Sequence, residues 1–285
     1  MAGGRNKKLG RSLGGNIVVY GILILFGAFM LMPMVYAVNS AFKPLDELFV
    51  FPPRFFVQNP TLDNFSDLET IMGQSWVPFS RYLLNTVLIT VVGTAGCVIV
   101  TSMAAFVLAK FRFPGSRAIF RIVTTALMFS GYVTQIPNYL IMARLGWIDT
   151  YLAMIVPAFG MPMGLFLTKQ YMENVPDVLI EAARIDGANL WQIFWRVIMP
   201  NTRPAWLTVT ILSVQALWNS KAIQYIYSED LKTLPYALQQ ILGGGVSRTG
   251  VGSAVTVIMM IVPVVTFILS QRQITETMAS SGIKE

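Results

Sequence analysis

Six stretches of this chain stay apolar for longer than a soluble helix requires: residues 15–39, 82–109, 119–142, 151–171, 204–220 and 252–269. A helix crossing a hydrocarbon core about 30 Å thick needs about 20 such residues, so each stretch predicts a membrane span. Residues 177–200 break the pattern, because charged and apolar positions recur there at helical spacing between two runs too apolar for water. Asn174-Val175-Pro176-Asp177 supplies a turn, a proline that stops the preceding helix, and an Asp able to accept hydrogen bonds from the free N–H groups of the next one. From Asp177 onward Val178, Glu181, Ala182 and Ile185 share one side, where small alanines let another surface approach closely. Gly187 can adopt the left-handed conformation that ends a helix, after which Leu190, Ile193, Phe194 and Val197 form a second apolar stripe. The prediction is helix, turn, helix; the competing reading is an amphipathic segment lying on lipid.

Composition agrees with an all-α integral membrane protein: 54% of residues are hydrophobic and 12% charged, against roughly 25% charged in a typical soluble domain. The charge is asymmetric along the chain. With the N-terminus inside, fourteen of the 21 Lys and Arg fall on the inner side, among them Arg5, Lys7, Lys8, Arg11 and Lys284. The outer side keeps Lys43, Arg54, Arg81, Arg144, Lys221, Lys232 and Arg248. This excess favours both termini and residues 177–200 on the cytoplasmic side. It also accounts for the net charge of +7 without nucleic acid, for which there is no basic helix or aromatic-basic module. The expected organisation is an inner segment 1–14, one transmembrane domain 15–270 and an inner tail 271–285. The first apolar run is too long for a secretory leader and is expected to remain as a helix. Cys97 has no partner cysteine, so an intrachain disulfide is excluded.

Missing residue types narrow the function. The chain has no His, which removes His-based acid/base catalysis, HExxH zinc chemistry and Ser-His-Asp triads. No catalytic or metal site is expected. It also lacks GxxxxGK[ST], so ATP and Mg are expected on a partner and no cofactor on this chain.

The stretch EAARIDGANLWQIFWRVIMP, residues 181–200, resembles the EAA loop of ABC importer permeases, where this loop forms the coupling helix that docks onto the ATPase. Other stretches are similar to carbohydrate permeases of the maltose transporter type. They are NSAFKP (39–44), FPP (51–53), Asn64-Phe65, KFRFPG (110–115), Ile136-Pro137, ARLGWIDTYLAMIVP (143–157) and Trp218-Asn219. Their order is that of the MalG-like subunit and runs from residue 39 to the C-terminus. Met199 stands where relatives carry Leu, a swap of similar volume, and SKAIQYIYSED (220–230) replaces an apolar, proline-containing stretch.

The resemblance implies a MetI-like permease core in a bacterial or archaeal cell membrane, with six transmembrane helices and the coupling helix between helices 4 and 5. It implies a second, MalF-like permease, an ATPase dimer and an extracellular sugar-binding protein as partners, and uptake of a carbohydrate, an oligosaccharide by class. Glu181, Ala182, Ala183, Asp186, Gly187 and Ala188 would couple to the ATPase, with Glu181 as anchor and Asp186 equally readable as a local cap. Gly243, Gly244, Gly245, Val246 and Ser247, too glycine-rich for regular structure, would reach the binding protein. Polar residues at membrane depth face protein or a water-filled cavity. Gln135, Asn138 and Tyr139 beside Pro137, with Gln215, Trp218 and Asn219, are candidates for the pathway; interhelical hydrogen bonding is the competing reading, as it is for Asn85. Gly93, Gly96, Ala104 and Ala105 read as close helix packing. Residues 43–81, rich in proline, are expected to form an extended external segment. A secondary transporter or channel would fit the composition as well, but would show an inverted repeat or an ionisable residue in mid-membrane, and neither is clear.

Overall fold

A computed structural model describes residues 13–73, 77–129 and 131–281, with side chains described only to residue 270 at the C-terminal end. The basic residues Arg5, Lys7, Lys8 and Arg11, and Lys284 in the tail, lie outside the described residues. Among those described, every regular element is helical. The polypeptide divides into two compact units, one formed by Met1–Leu68 with Gly245–Val257 and the other by Glu69–Gly244 with Ile258–Glu285.

The first unit begins with α1 (Leu13–Ala41), which contains Pro33, and continues into α2 (Leu45–Leu48). The next helix, α3, spans Asp63–Gly73. Residues 43–81, expected to be extended, therefore contain helices. What folds them is a set of side chains that satisfy backbone carbonyls: buried Asn64 donates to Ala41 O at 2.9 Å and Lys43 O at 2.7 Å. Lys43 itself is 2% exposed and donates to the Arg54 carbonyl, its ammonium 5.3 Å from the Tyr36 ring centre. Glu47 accepts from the Gln58 N–H at 2.8 Å. Gly250 leaves no room for a Cβ, which would lie 2.1 Å from Asn64 Oδ1. The NSAFKP and Asn64-Phe65 stretches thus meet as one polar staple.

The second unit is built around α4 (Phe79–Lys110). It is followed by α5 (Ser116–Ala126), α6 (Gly131–Arg144), α7 (Leu152–Ala158) and α8 (Pro162–Glu173). Then come α9 (Asp177–Ile185), α10 (Leu190–Ile193), a π-helical turn Phe194–Ile198 and α11 (Met199–Asn201). The chain closes with α12 (Arg203–Trp218), α13 (Leu234–Gly243) and α14 (Thr249–Ser281). α4 packs against α7, α8 and α12. Two glycines permit this closeness: a Cβ at Gly93 would sit 2.6 Å from Leu217 Cδ1, and one at Gly96 would sit 2.0 Å from the Phe159 ring.

Among the described residues four helices are long and apolar enough to cross a membrane: Gly14–Ala41, Phe79–Lys110, Leu152–Glu173 and Val246–Ser270. The run 119–142 is not one straight rod. Its two halves, α5 and α6, are bent by 112° relative to each other, as in a broken span or a re-entrant loop, and count as a fifth crossing only if the pair is one span. The run 204–220 folds as a helix of 16 residues, about 24 Å long, shorter than an apolar core is thick. Pro204 sits in its first turn, where its missing N–H costs nothing, and the helix ends at Trp218, two residues before the apolar run does.

Candidate functional site

The segment between α8 and α12 is assembled by local rules that can be followed residue by residue. Pro176, with φ −60° and ψ 133°, sits at the N-cap of α9, so Asp177 is the first helical residue rather than the capping one. Its carboxylate instead accepts from Lys110 Nζ at 2.7 Å, and the same ammonium reaches Val175 O at 2.5 Å. The Lys110 ammonium beside Asp177 holds that carboxyl below the usual Asp range. An acid in a helix's first turn is favoured by the helix dipole as well.

At its other end α9 stops through two backbone bonds, Gly187 N–H to Arg184 O at 3.0 Å and Ala188 N–H to Ala183 O at 2.9 Å. This is the Schellman arrangement, which needs a left-handed residue, and Gly187 has φ +81°. The new helix is then capped by Asn189, whose Oδ1 accepts from the Gln192 N–H at 2.8 Å while Gln192 Oε1 accepts from the Asn189 N–H at 2.9 Å. This reciprocal box is the signal N-x-x-Q in the sequence. Asp186 is exposed at the C-cap of α9, and the capping of α10 belongs to Asn189.

Burial divides α9 into two faces. Ile180 is buried, and Ala183 and Ala188 pack beside it against Phe106, Met172, Val175, Ile193 and Phe194. Met199 lies in the same cluster. The opposite face is bare: Val178 is 70% exposed and Ile185 86%, with Glu181 and Ala182 exposed between them. Trp191, Phe194 and Trp195 form an aromatic group beside this segment, with ring centres 5.1 to 6.1 Å apart.

The pathway candidates do not form one cluster. Gln135 and Asn138 are half-buried on α6, and the Tyr139 hydroxyl accepts from Tyr227 Oη at 3.2 Å. Gln215 and Asn219 are exposed at the end of α12, where Asn219 Nδ2 donates to Gln215 O at 2.8 Å. Trp218 is 2% exposed and pins α12 to α14 through Nε1 donating to Met259 O at 2.8 Å. Asn85 is fully engaged between helices and connector: its Nδ2 donates to Asp230 O and Lys232 O at 2.8 and 2.9 Å, and its Oδ1 accepts from the Tyr151 hydroxyl at 2.7 Å. Residues 243–247 are less irregular than expected, since α13 runs through Gly243 and a 3₁₀ turn covers Val246–Arg248. Gly245 has φ +98°, a conformation that favours glycine.

A polar group that sequence reasoning did not single out holds the stretch after α12. Glu229 accepts from Tyr82 Oη at 2.7 Å and pairs with Lys232 at 2.6 Å. Burial alone would raise the Glu229 carboxyl, but the bonds from Lys232 and Tyr82 outweigh it and hold it below its usual range. Burial likewise opposes the charge on Lys232, and the bond to Glu229 outweighs it, so that ammonium is raised. Asp149 fastens the same stretch by accepting from the Tyr227 and Ser228 N–H groups at 2.9 and 2.8 Å and from the Ser228 hydroxyl. The Ser228 hydroxyl and N–H hold its carboxyl below the usual range.

Comparison with known proteins now bears on this geometry. The chain is 28% identical over 246 residues, 84% of each chain, to the polygalacturonan/rhamnogalacturonan transport system permease protein YtcP of Bacillus subtilis (strain 168). It is 30% identical over 263 residues, 88% of this chain and 90% of the other, to the arabinooligosaccharides transport system permease protein AraQ of Halalkalibacterium halodurans. A chain from the crystal structure of a bacterial ABC transporter involved in the import of the acidic polysaccharide alginate superposes with a TM-score of 0.78. It is 23% identical and the match covers 92% of this chain and 98% of that one, a likeness of fold. The family model for the inner membrane component of binding-protein-dependent transport systems matches residues 17–279. The chain therefore belongs to that family, as an ABC importer permease subunit of the membrane.

Proposed function

We propose that this subunit carries a carbohydrate, of the oligosaccharide class, through the membrane in an ATP-driven importer, and that α9 is the helix by which it takes up work from the ATPase. The observation that carries the coupling role is the bare face of α9: Val178 and Ile185 are more exposed than isolated apolar side chains on so short a helix need be, and Glu181 lies between them. Such a face suits insertion into a cleft, with Glu181 making a charge-assisted contact and Ala182 leaving room for close approach. Ala183 and Ala188 secure the helix to the permease from behind, and Gly187, followed at once by the Asn189 cap, sets the angle at which the chain returns. Asp186 extends the polar edge of the docking surface.

In this reading the chain crosses the membrane six times with both termini in the cytoplasm, the broken pair α5 and α6 and the segment leading into α12 supplying the crossings that length alone does not. It pairs with a second, MalF-like permease, and an ATPase dimer binds the ATP and Mg. Closure of that dimer moves α9 and rocks the permease pair from inward-open to outward-open. Gln135, Asn138, Tyr139, Gln215 and Asn219 are the pathway candidates, with Trp218 supporting them from the helix interior, and residues 243–247 reach the sugar cleft of the external binding protein. The carbohydrate assignment is supported by the relatives, whose names carry polygalacturonan, rhamnogalacturonan and arabinooligosaccharides.

Affinity purification of the tagged subunit from native membranes tests the assembly: an ATPase and a second permease should accompany it, and recovery alone would refute the reading. Calorimetric titration of the cognate binding protein with galacturonan, arabinan and glucan oligosaccharides then identifies the class of sugar. Deletion of residues 244–247 should abolish uptake of the sugar so found while leaving the complex assembled; unchanged uptake would refute the role of that turn.

A further inference from the structure

We propose that α4 is the rod along which movement of α9 reaches the outer end of the second unit, and that Lys110 is the positioning residue that latches α9 to it. The inference rests on reading α9 as the ATPase-docking helix.

The two ends of α4 are tied by side chains to segments far away in the chain. At the inner end the Lys110 side chain is 6% exposed, and its ammonium donates at the start of α9 to Val175 O and the Asp177 carboxylate. These residues flank Pro176, which offers no N–H, and α9 has no side-chain cap of its own. Its first turn is therefore held by α4. Phe106, one turn back on α4, packs in the same cluster as Ile180 of α9. At the outer end, Arg81 Nε donates to Asp230 O at 3.1 Å, Tyr82 bonds Glu229, Asn85 bonds the Asp230 and Lys232 carbonyls, and Thr86 Oγ1 accepts from the Leu234 N–H at 2.8 Å. About 40 Å of helix separates the two clamps.

The rod between them is suited to transmit displacement. α6, α7 and α14 each contain an internal proline, whereas α4 contains none. Its midpoint is fixed where Gly93 and Gly96 bring Leu217 and Phe159 against the backbone. Displacing α9 must then either carry α4 with it or break both Lys110 bonds. Of the two, the bond to the Val175 carbonyl matters more, since the Asp177 carboxylate is 75% exposed and its attraction is screened.

The test uses the full complex in proteoliposomes, with Gln224→Cys as an external reporter on the outer connector in a Cys97→Ser background. A membrane-impermeant maleimide is applied with no nucleotide and after trapping with ATP and vanadate. Trapping should change the labelling rate by about fivefold or more, the range of an ordinary coupling between sites. In Lys110→Met the nucleotide is still trapped and the nucleotide-free labelling rate is unchanged, but the response to trapping falls below about twofold, and Lys110→Arg restores it. A full response in Lys110→Met, an unresponsive reporter in the otherwise native complex, or an altered nucleotide-free rate in Lys110→Met would each overturn the rod. A complex that traps no nucleotide at all would instead overturn the docking role of α9.

Discussion

Replacing Asn85 by Leu isolates the part of the structure on which the outer end of α4 depends. The side chains are close in volume, so little packing changes, but three hydrogen bonds disappear: two donated to the Asp230 and Lys232 carbonyls and one accepted from the Tyr151 hydroxyl. Asn85 is 2% exposed, so water does not replace it from the α4 side. Leaving a buried polar group unpaired costs about 1–3 kcal/mol. The Asp230 carbonyl keeps the bond from Arg81 Nε, which leaves Lys232 O and the Tyr151 hydroxyl as the orphans. Set against the modest gain from a buried apolar side chain, the net loss is about 2–4 kcal/mol. At about 2–4 °C per kcal/mol, the midpoint of thermal unfolding should fall by about 5–15 °C. Tryptophan fluorescence of the purified complex in nanodiscs reads this directly. The control is Thr90→Val on the same helix, because the buried Thr90 hydroxyl has no hydrogen-bond partner among the described residues and its removal should leave the midpoint unchanged or raise it. A fall of less than about 2 °C for Asn85→Leu would refute the reasoning.

Two further outcomes follow from the turn geometry and the charges. Nothing lies within 4 Å of a Cβ at Gly187, so its constraint is purely the positive φ; Gly187→Val should cost about 1–2 kcal/mol and reduce recovered ATPase about tenfold, whereas Gly187→Asn should bind nearly as well as the native chain. Folding holds the Asp149 carboxyl below its ordinary value, so its contribution to stability is present at neutral pH, above the unfolded value near 4, and is lost as pH falls through the folded value. The melting temperature of Asp149→Asn should accordingly fall less between pH 6 and pH 3 than that of the native chain, and parallel curves would count against the Asp149 fastening.

What could be read along the chain was what depends on neighbours. The boundaries of α9, the left-handed Gly187 and the tight packing at Gly93 and Gly96 each follow from residue type and spacing, and the Asn189 box was equally open to reading in the pattern N-x-x-Q. What escaped depends on distant partners. Lys110 finds Val175 and Asp177 across 65 and 67 positions, and Asn85 finds Asp230 across 145, so nothing local distinguishes Asn85 from a polar residue facing a pathway. Trp218 reads as an aromatic at a helix end and proves to be an interhelical pin, because its one polar atom meets the Met259 carbonyl. The bend between α5 and α6 escaped for another reason: hydropathy is a sum over a window and carries no angle.

The docking of α9 is tested most directly by cross-linking from its bare face in native membranes. With Ile185→Cys in a Cys97→Ser background, a short maleimide–benzophenone reagent, attached to the thiol and then photoactivated to insert into C–H bonds of whatever lies against it, should join this subunit to an ATPase subunit, and the product should diminish when Glu181 is also replaced by Lys. Labelling of the introduced thiol by a lipid-soluble reagent or from the cell exterior, with no ATPase in the cross-linked product, would contradict it.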